Sequence, residues 1–284
     1  MRKMRKRWIA MGCIAAVCAL NFAVGPLRGR TSLADSTTTT ITCSESSPVV
    51  RRFIQKVAIL FEEGTGVQVK YYKSREDVIE QVLDGDVDWA CMMRHLTDVE
   101  KLKKLKESQV GWDAYAVIVN PNNPCGDLSV ENLAKIFTGE IVEWKLVGGP
   151  EKKRITVFAP SRRSLAYKTL EEAVLFDGTP SRRIKWTASE DRMINSVARN
   201  RTAIGIVPVA DIKDNADVKV LSIDGQNPSI ECVARKKYPL VQPIVCVTGP
   251  DSSKETTDFL KFCLTPTAQD IMAEYYMPFV LPKN

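Results

Sequence analysis

AVIVNPNNPCGDLSVENLAKIFTGEIVEWKLVGGP, residues Ala116 to Pro150, is the stretch whose reading decides the fold. Its apolar start, Ala116–Val119, reads as a strand, and Asn120-Pro121 stops it with a turn. Ser129 then precedes apolar residues at helical spacing, Val130, Leu133, Ala134 and Phe137, and Gly139 follows them. A serine before the first turn and a glycine after the last are the start and stop signals of a helix. The order is strand, loop, helix, turn.

Upstream the same alternation repeats. Periodicity predicts a strand at Ile41–Cys43, a helix at Val49–Glu63, a strand at Val67–Tyr71, a helix at Arg75–Asp84, a strand at Val87–Met92, a helix at Asp98–Glu107 and a strand at Ala114–Val119. Strands alternating with helices give mainly parallel sheets flanked by helices, an α/β fold. The chain has no internal repeat, and Thr37–Thr40 is a polar tether ahead of the first strand.

The N-terminus reads separately. MRKMRKR is a basic segment, Trp8–Val24 an apolar one, and Ser32-Leu33-Ala34 carries small residues at the −3 and −1 positions of a secretory cleavage site. Residues 1–34 are therefore expected to be a cleaved signal peptide, and the chain to be periplasmic or secreted. The competing reading is an uncleaved anchor, but the apolar run is interrupted by Gly12, Asn21 and Gly25-Pro26 and falls short of the roughly 20 residues a span needs. Cys13 and Cys18 lack the context of a lipid-attachment site.

Removing the leader changes the charge. The chain has 40 basic and 34 acidic residues, and seven of the basic ones (Arg2, Lys3, Arg5, Lys6, Arg7, Arg28 and Arg30) precede Asp35, so 33 remain against 34. A net charge near −1 argues against nucleic acid as a partner, which needs a basic face. About 250 residues remain, too many for the commonest single-domain size and suited to two lobes.

Six cysteines follow the leader: Cys43, Cys91, Cys125, Cys232, Cys246 and Cys263. In an oxidising compartment they allow up to three disulfides in fifteen connectivities, and spacing does not choose among them. Cys43, Cys91 and Cys246 equally suit buried small hydrophobes on strands. With no CxxC and a single histidine, His95 beside Arg94, no metal site or cofactor is expected. No P-loop, nucleophile elbow or dinucleotide fingerprint occurs, and an enzyme is not expected. Gly148-Gly149-Pro150 is a turn.

Anion-binding chemistry is visible at helix starts. Ser47 is placed as N-cap with Pro48 at the first helical position, ahead of the stripe Val50, Phe53, Ile54, Val57, Leu60 and Phe61. Free amides there, with hydroxyls from Ser44, Ser46 and Ser47, suit an oxyanion, although an ordinary cap explains the same residues. Ser74 with Asp77 three residues on forms a capping box, and the cap reading suffices. Phe158–Ser164, FAPSRRS, links a strand to another helix; its Arg162 and Arg163 either face an anion or are simply solvated.

These segments resemble the periplasmic phosphate-binding proteins that feed ABC-type phosphate importers. The resemblance rests on VNPxNP, LSVExLxxIFTGEI and WKxVGGP within Ala116–Pro150, and on Ile41–Val50 and Asp84–Glu100 upstream. Downstream it rests on Ala203–Val209, Ser222–Ser229, Lys236–Pro243 and Asp258–Met272. It implies a two-lobed type II periplasmic binding protein fold, with 35–117 and 244–284 as lobe 1 and 118–243 as lobe 2. The crossings would be Ala114–Val119 and Ile244–Val247. It further implies a monomer that binds phosphate or a related oxyanion and an inner-membrane ABC permease.

The resemblance assigns Ser46 and Ser47 to the ligand, because they align with the family's Ser-Thr. Elsewhere the chain departs from the family. Where the family has a Gly/Ser-rich phosphate loop, this chain has Lys73-Ser74-Arg75-Glu76-Asp77. The family motif R-E-x-G-S-G-T falls on Pro160 to Ala166, where only the serine, Ser164, survives; Arg163 replaces the first glycine. Met93 stands where relatives carry an aspartate or serine, and a methionine cannot accept the proton of hydrogen phosphate. The expected reading is an exported solute-binding protein that closes on a tetrahedral oxyanion. The alternative is an exported module of the same fold that lost phosphate and serves protein interaction or sensing.

Overall fold

The computed structural model describes residues 38–45, 50–73, 77–149, 153–212 and 217–279. The chain opens with β1 (Thr40–Glu45), α1 (Arg51–Thr65), β2 (Gln68–Lys73), α2 (Val78–Leu83), β3 (Trp89–Met92) and α3 (Asp98–Leu102). Strand β1 pairs in parallel with both β2 and β3. Helix α1 puts Phe53, Ile54, Val57 and Phe61 inward and ends at Gly66, whose φ of 73° continues no helix.

Two expected boundaries are corrected here. Asp77 is not the third residue of a helix capped by Ser74. It is itself the N-cap, accepting from the Ile79 amide at 2.9 Å, so α2 begins at Val78. The helix expected over Asp98–Glu107 ends at Leu102, since Lys104 adopts φ 63° and strand begins at Lys106. Only its start was well specified: Thr97 and Glu100 form a capping box.

Strand β4 (Lys106–Val119) is fourteen residues long, more than twice the Ala114–Val119 expected. The chain then runs through β5 (Asp127–Leu128), α4 (Val130–Thr138), β6 (Thr156–Pro160), α5 (Leu165–Leu170), β7 (Lys185–Thr187) and α6 (Glu190–Ala198). It continues with β8 (Ala203–Pro208), β9 (Lys219–Val220), β10 (Ser222–Ile223) and α7 (Ile230–Ala234). Helix α4 starts and stops where the sequence places it: Ser129 accepts from the Asn132 amide, and Gly139 takes φ 87°.

The chain returns through β11 (Val241–Thr248), α8 (Lys254–Cys263), α9 (Pro266–Tyr275) and β12 (Met277–Pro278). The strands follow one path, β2-β1-β3-β11-β4-β8-β6-β7, with β12 and β9 also on β4. Two lobes arise because β4 changes partner along its length. Residues Lys106–Ala114 pair with β11, and Tyr115–Val119 pair with β8.

Alternating side chains feed a core on each sheet face. In the first lobe Trp89, Cys91 and Cys246 pack toward α1, α8 and α9, while Ala90, Met92, Val245 and Val247 pack toward α2. In the second, Tyr115, Val117 and Val119 pack with α4 and α5, while Ala116 and Ile118 pack with α6. Helices thus cover both faces. Among the described residues no helix is long and apolar enough to cross a membrane; the leader lies outside them. Of the six later cysteines five are buried and Cys232 is partly exposed.

Candidate functional site

A cleft of about 530 Å³ opens where β4 passes between the lobes. Arg52 of α1 and Tyr275 and Tyr276 at the end of α9 line it from the first lobe. Asp113 and Tyr115 of β4 form its base, and Arg163, Ser164, Glu190 and Asp211 line it from the second lobe.

The two arginines hold its positive charge. Among the described residues neither Arg52 nor Arg163 is in an ion pair. The adjacent Arg51 is tied up: its Nε and Nη2 bind Glu45 Oε1 at 3.0 and 2.6 Å, and its guanidinium lies 5.0 Å over the Tyr71 ring. One helical step therefore separates a structural arginine from one that faces the cleft. Ser44 Oγ and Glu45 Oε2 are buried with no hydrogen-bond partner among the described residues.

Asp113 is the unusual group. It is 4% exposed, and Tyr115 Oη donates to its Oδ2 at 2.5 Å. Burial pushes its pKa up to about 7; the tyrosine bond pulls it back, and the charge of Asp211 adds to the rise. A carboxyl that is about half protonated near pH 7 repels an anion less than a fully ionised one would. Burial, followed by the charge of Asp113, holds the phenols of Tyr115 and Tyr276 well above the usual tyrosine range.

Of the residues singled out from sequence, Arg163 and Ser164 reach this cleft. Ser164 is also the N-cap of α5: its hydroxyl accepts from the Tyr167 amide at 3.2 Å and donates to the Ser161 carbonyl at 2.7 Å. Helix α5 runs on into a π-turn, Glu171–Leu175. Arg162 turns away, its guanidinium 4.6 Å over the Trp186 ring beside a separate shallow depression. Met93 is 5% exposed in the apolar core of the first lobe. Ser46, Ser47, Ser74 and Arg75 lie outside the described residues.

His95 is remote from the cleft. Its Nδ1 is 3.3 Å from Glu107, and the neighbouring Arg94 is held by both oxygens of Glu100 at 2.7 Å. Sequence reasoning missed Arg52, Asp113, Tyr115, Glu190, Asp211, Tyr275 and Tyr276. The available signal was an aspartate inside an otherwise apolar strand, WDAYAVIV.

The PBP superfamily domain matches residues 30–267. The chain is similar to the phosphate-binding protein PstS of Borreliella burgdorferi, 28% identical over 65% of this chain and 70% of the relative. PstS of Staphylococcus haemolyticus is 29% identical over 65% of this chain and 63% of its own. For PstS of Bacillus subtilis the figures are 31%, 56% and 53%, so the match spans between 53% and 70% of these relatives' lengths.

Among solved structures, PstS from Borrelia burgdorferi superposes with a TM-score of 0.75 at 23% identity, over 84% of this chain and 98% of that one. An ABC-type phosphate transport receptor from Vibrio cholerae gives 0.74 at 23%, over 84% and 99%. The fold is that of the type II periplasmic binding proteins.

Proposed function

Because this chain belongs to the PBP superfamily, we propose that it is an exported solute-binding protein that captures phosphate, or a similar tetrahedral oxyanion, in its cleft and delivers it to an ABC-type importer. The observation that carries this reading is that Arg52 and Arg163, neither in an ion pair among the described residues, face one cleft from opposite lobes. Relatives named as phosphate-binding proteins supply the ligand class. Ser164 adds a hydroxyl from lobe 2, and the amides and hydroxyls at Ser46 and Ser47 complete the cradle from lobe 1.

In this reading residues 1–34 direct export and are removed. Residues 35–117 with 244–284 form lobe 1, and 118–243 form lobe 2. The change of partner along β4 between Ala114 and Tyr115, opposite the start of β11, supports a hinge there. The chain acts as a monomer, and its role is binding rather than catalysis.

Calorimetric titration tests the site. A hydrogen bond to a charged group contributes about 1.5–3 kcal/mol, which at 1.4 kcal/mol per decade is one to two decades of affinity. Arg52→Ala and Arg163→Ala are each expected to weaken phosphate binding by about that amount. Ser164→Ala is expected to do the same while also destabilising α5 by about 1 kcal/mol, the worth of a lost cap. Wild-type affinity in all three variants, or no heat with phosphate, arsenate or sulfate, sinks the assignment.

A further inference from the structure

Four cysteines, Cys43, Cys91, Cys246 and Cys263, share the apolar layer between the first-lobe sheet and helices α1, α8 and α9. All four are at most 1% exposed. Only one pair is in register. Cys91 of β3 and Cys246 of β11 stand directly opposite one another in an antiparallel ladder, and each thiol perturbs the titration of the other.

Residues so placed have Cα atoms about 4.5–5.5 Å apart, inside the 4.4–6.8 Å that a disulfide spans. Cys43 is registered with Trp89, two residues from Cys91. A neighbouring strand about 4.8 Å away and two residues along at about 3.3 Å each put that pair roughly 8 Å apart, beyond reach. Cys263 sits on α8, in the helical layer.

We propose that Cys91 and Cys246 are joined by a cross-strand disulfide when the chain folds in an oxidising compartment, leaving the other four thiols free. The inference rests on the export part of the reading above. The chemistry is thiol–disulfide exchange: the two S–H bonds are replaced by one S–S bond, two protons are released, and two electrons reduce the disulfide of a protein or small-molecule oxidant to its dithiol.

Timing follows from burial. Contact with Cys246 and burial keep the Cys91 thiol protonated, and the Cys246 thiol is also raised. The thiolate is the attacking species. Exchange therefore belongs to the folding chain, before α1, α8 and α9 cover the sheet. Once formed, the bond staples β3 to β11 and is shielded from reductants.

Mass spectrometry decides it. The exported protein is denatured without reductant and alkylated with N-ethylmaleimide, and its intact mass is measured. Four adducts are expected, rising to six after reduction, with the peptides holding Cys91 and Cys246 linked in a non-reducing digest. Cys91→Ala and Cys246→Ala should each show five adducts without reduction. Six adducts on wild-type protein that has lost residues 1–34, or linkage between other cysteines, overturns the disulfide and leaves export standing. If the leader is retained, export fails instead; the chain then carries eight cysteines, Cys13 and Cys18 included, and refolding it from the reduced state in a glutathione buffer tests the pairing alone: six adducts with Cys91 and Cys246 linked are expected, and eight adducts overturn it.

Discussion

At the scale of single residues, Asp113 makes the molecule sensitive to pH in a direction opposite to most carboxylates. Its folded pKa, pushed up to about 7 chiefly by burial, lies above the roughly 3.9 of an unfolded aspartate. Between those values the folded state holds a proton that the unfolded state has released, so stability falls as pH rises. The contribution is fully present below about 4 and is lost through about 7, a few kcal/mol at about 1.4 kcal/mol per pH unit. Asp113→Asn is expected to remove that loss. Urea midpoints at pH 5 and pH 8 check it: the wild type should weaken between them by more than the variant, and parallel behaviour contradicts the assignment. The sequence showed an aspartate in an apolar strand, but not that Tyr115, two residues on along the same strand, would reach it. Nor could it tell Arg51 from Arg52, which stand side by side and differ only in which way one helical step points them.

At the scale of elements, β4 organises the site, and its length was the main thing hidden. Lys106, Glu107, Ser108 and Gln109 carry little apolar signal because the strand starts at the exposed end of the lobe, so periodicity ends the preceding helix only at Glu107 and begins the strand only at Ala114. The α4 segment was legible at both ends because a capping serine and a C-terminal glycine are local signals. Gly111 shows what β4 demands where it meets the C-terminal elements. A Cβ there would lie 2.9 Å from Met272 Sδ and Cε of α9 and 3.1 Å from the Met277 carbonyl of β12. The methionine side chain can move, but the backbone carbonyl cannot without shifting β12, which pairs with Gly111 and Trp112. Gly111→Val is expected to cost about 1–3 kcal/mol, the usual penalty of overpacking. It should also perturb Tyr275 and Tyr276, which lie between those two contacts and line the cleft. Equilibrium denaturation with near-ultraviolet circular dichroism reads both effects, and an unchanged midpoint and spectrum count against this account of the packing.

For the whole molecule, the two-lobed fold was legible from short motifs because strand, turn and helix signals are local and their order carries the topology. The ligand was less legible, because a cleft is assembled from residues far apart in sequence: Arg52, Asp113, Arg163 and Asp211 come from four different elements. That assembly predicts a motion. If an oxyanion draws Arg52 and Arg163 together, the lobes must rotate where β4 crosses between them, at Ala114–Tyr115 beside the start of β11. A ligand that binds only the folded, closing protein stabilises it by mass action, about 2.7 kcal/mol at a hundredfold excess over the dissociation constant. Saturating phosphate is therefore expected to raise the unfolding midpoint and to reduce the radius of gyration in small-angle scattering. Arg52→Ala, Arg163→Ala and above all the double variant should show less of both at the same concentration, because each removes half of the electrostatic bridge. Stabilisation without contraction would mean that phosphate is held by one lobe alone; contraction that survives in the double variant would mean that the arginines do not draw the lobes shut.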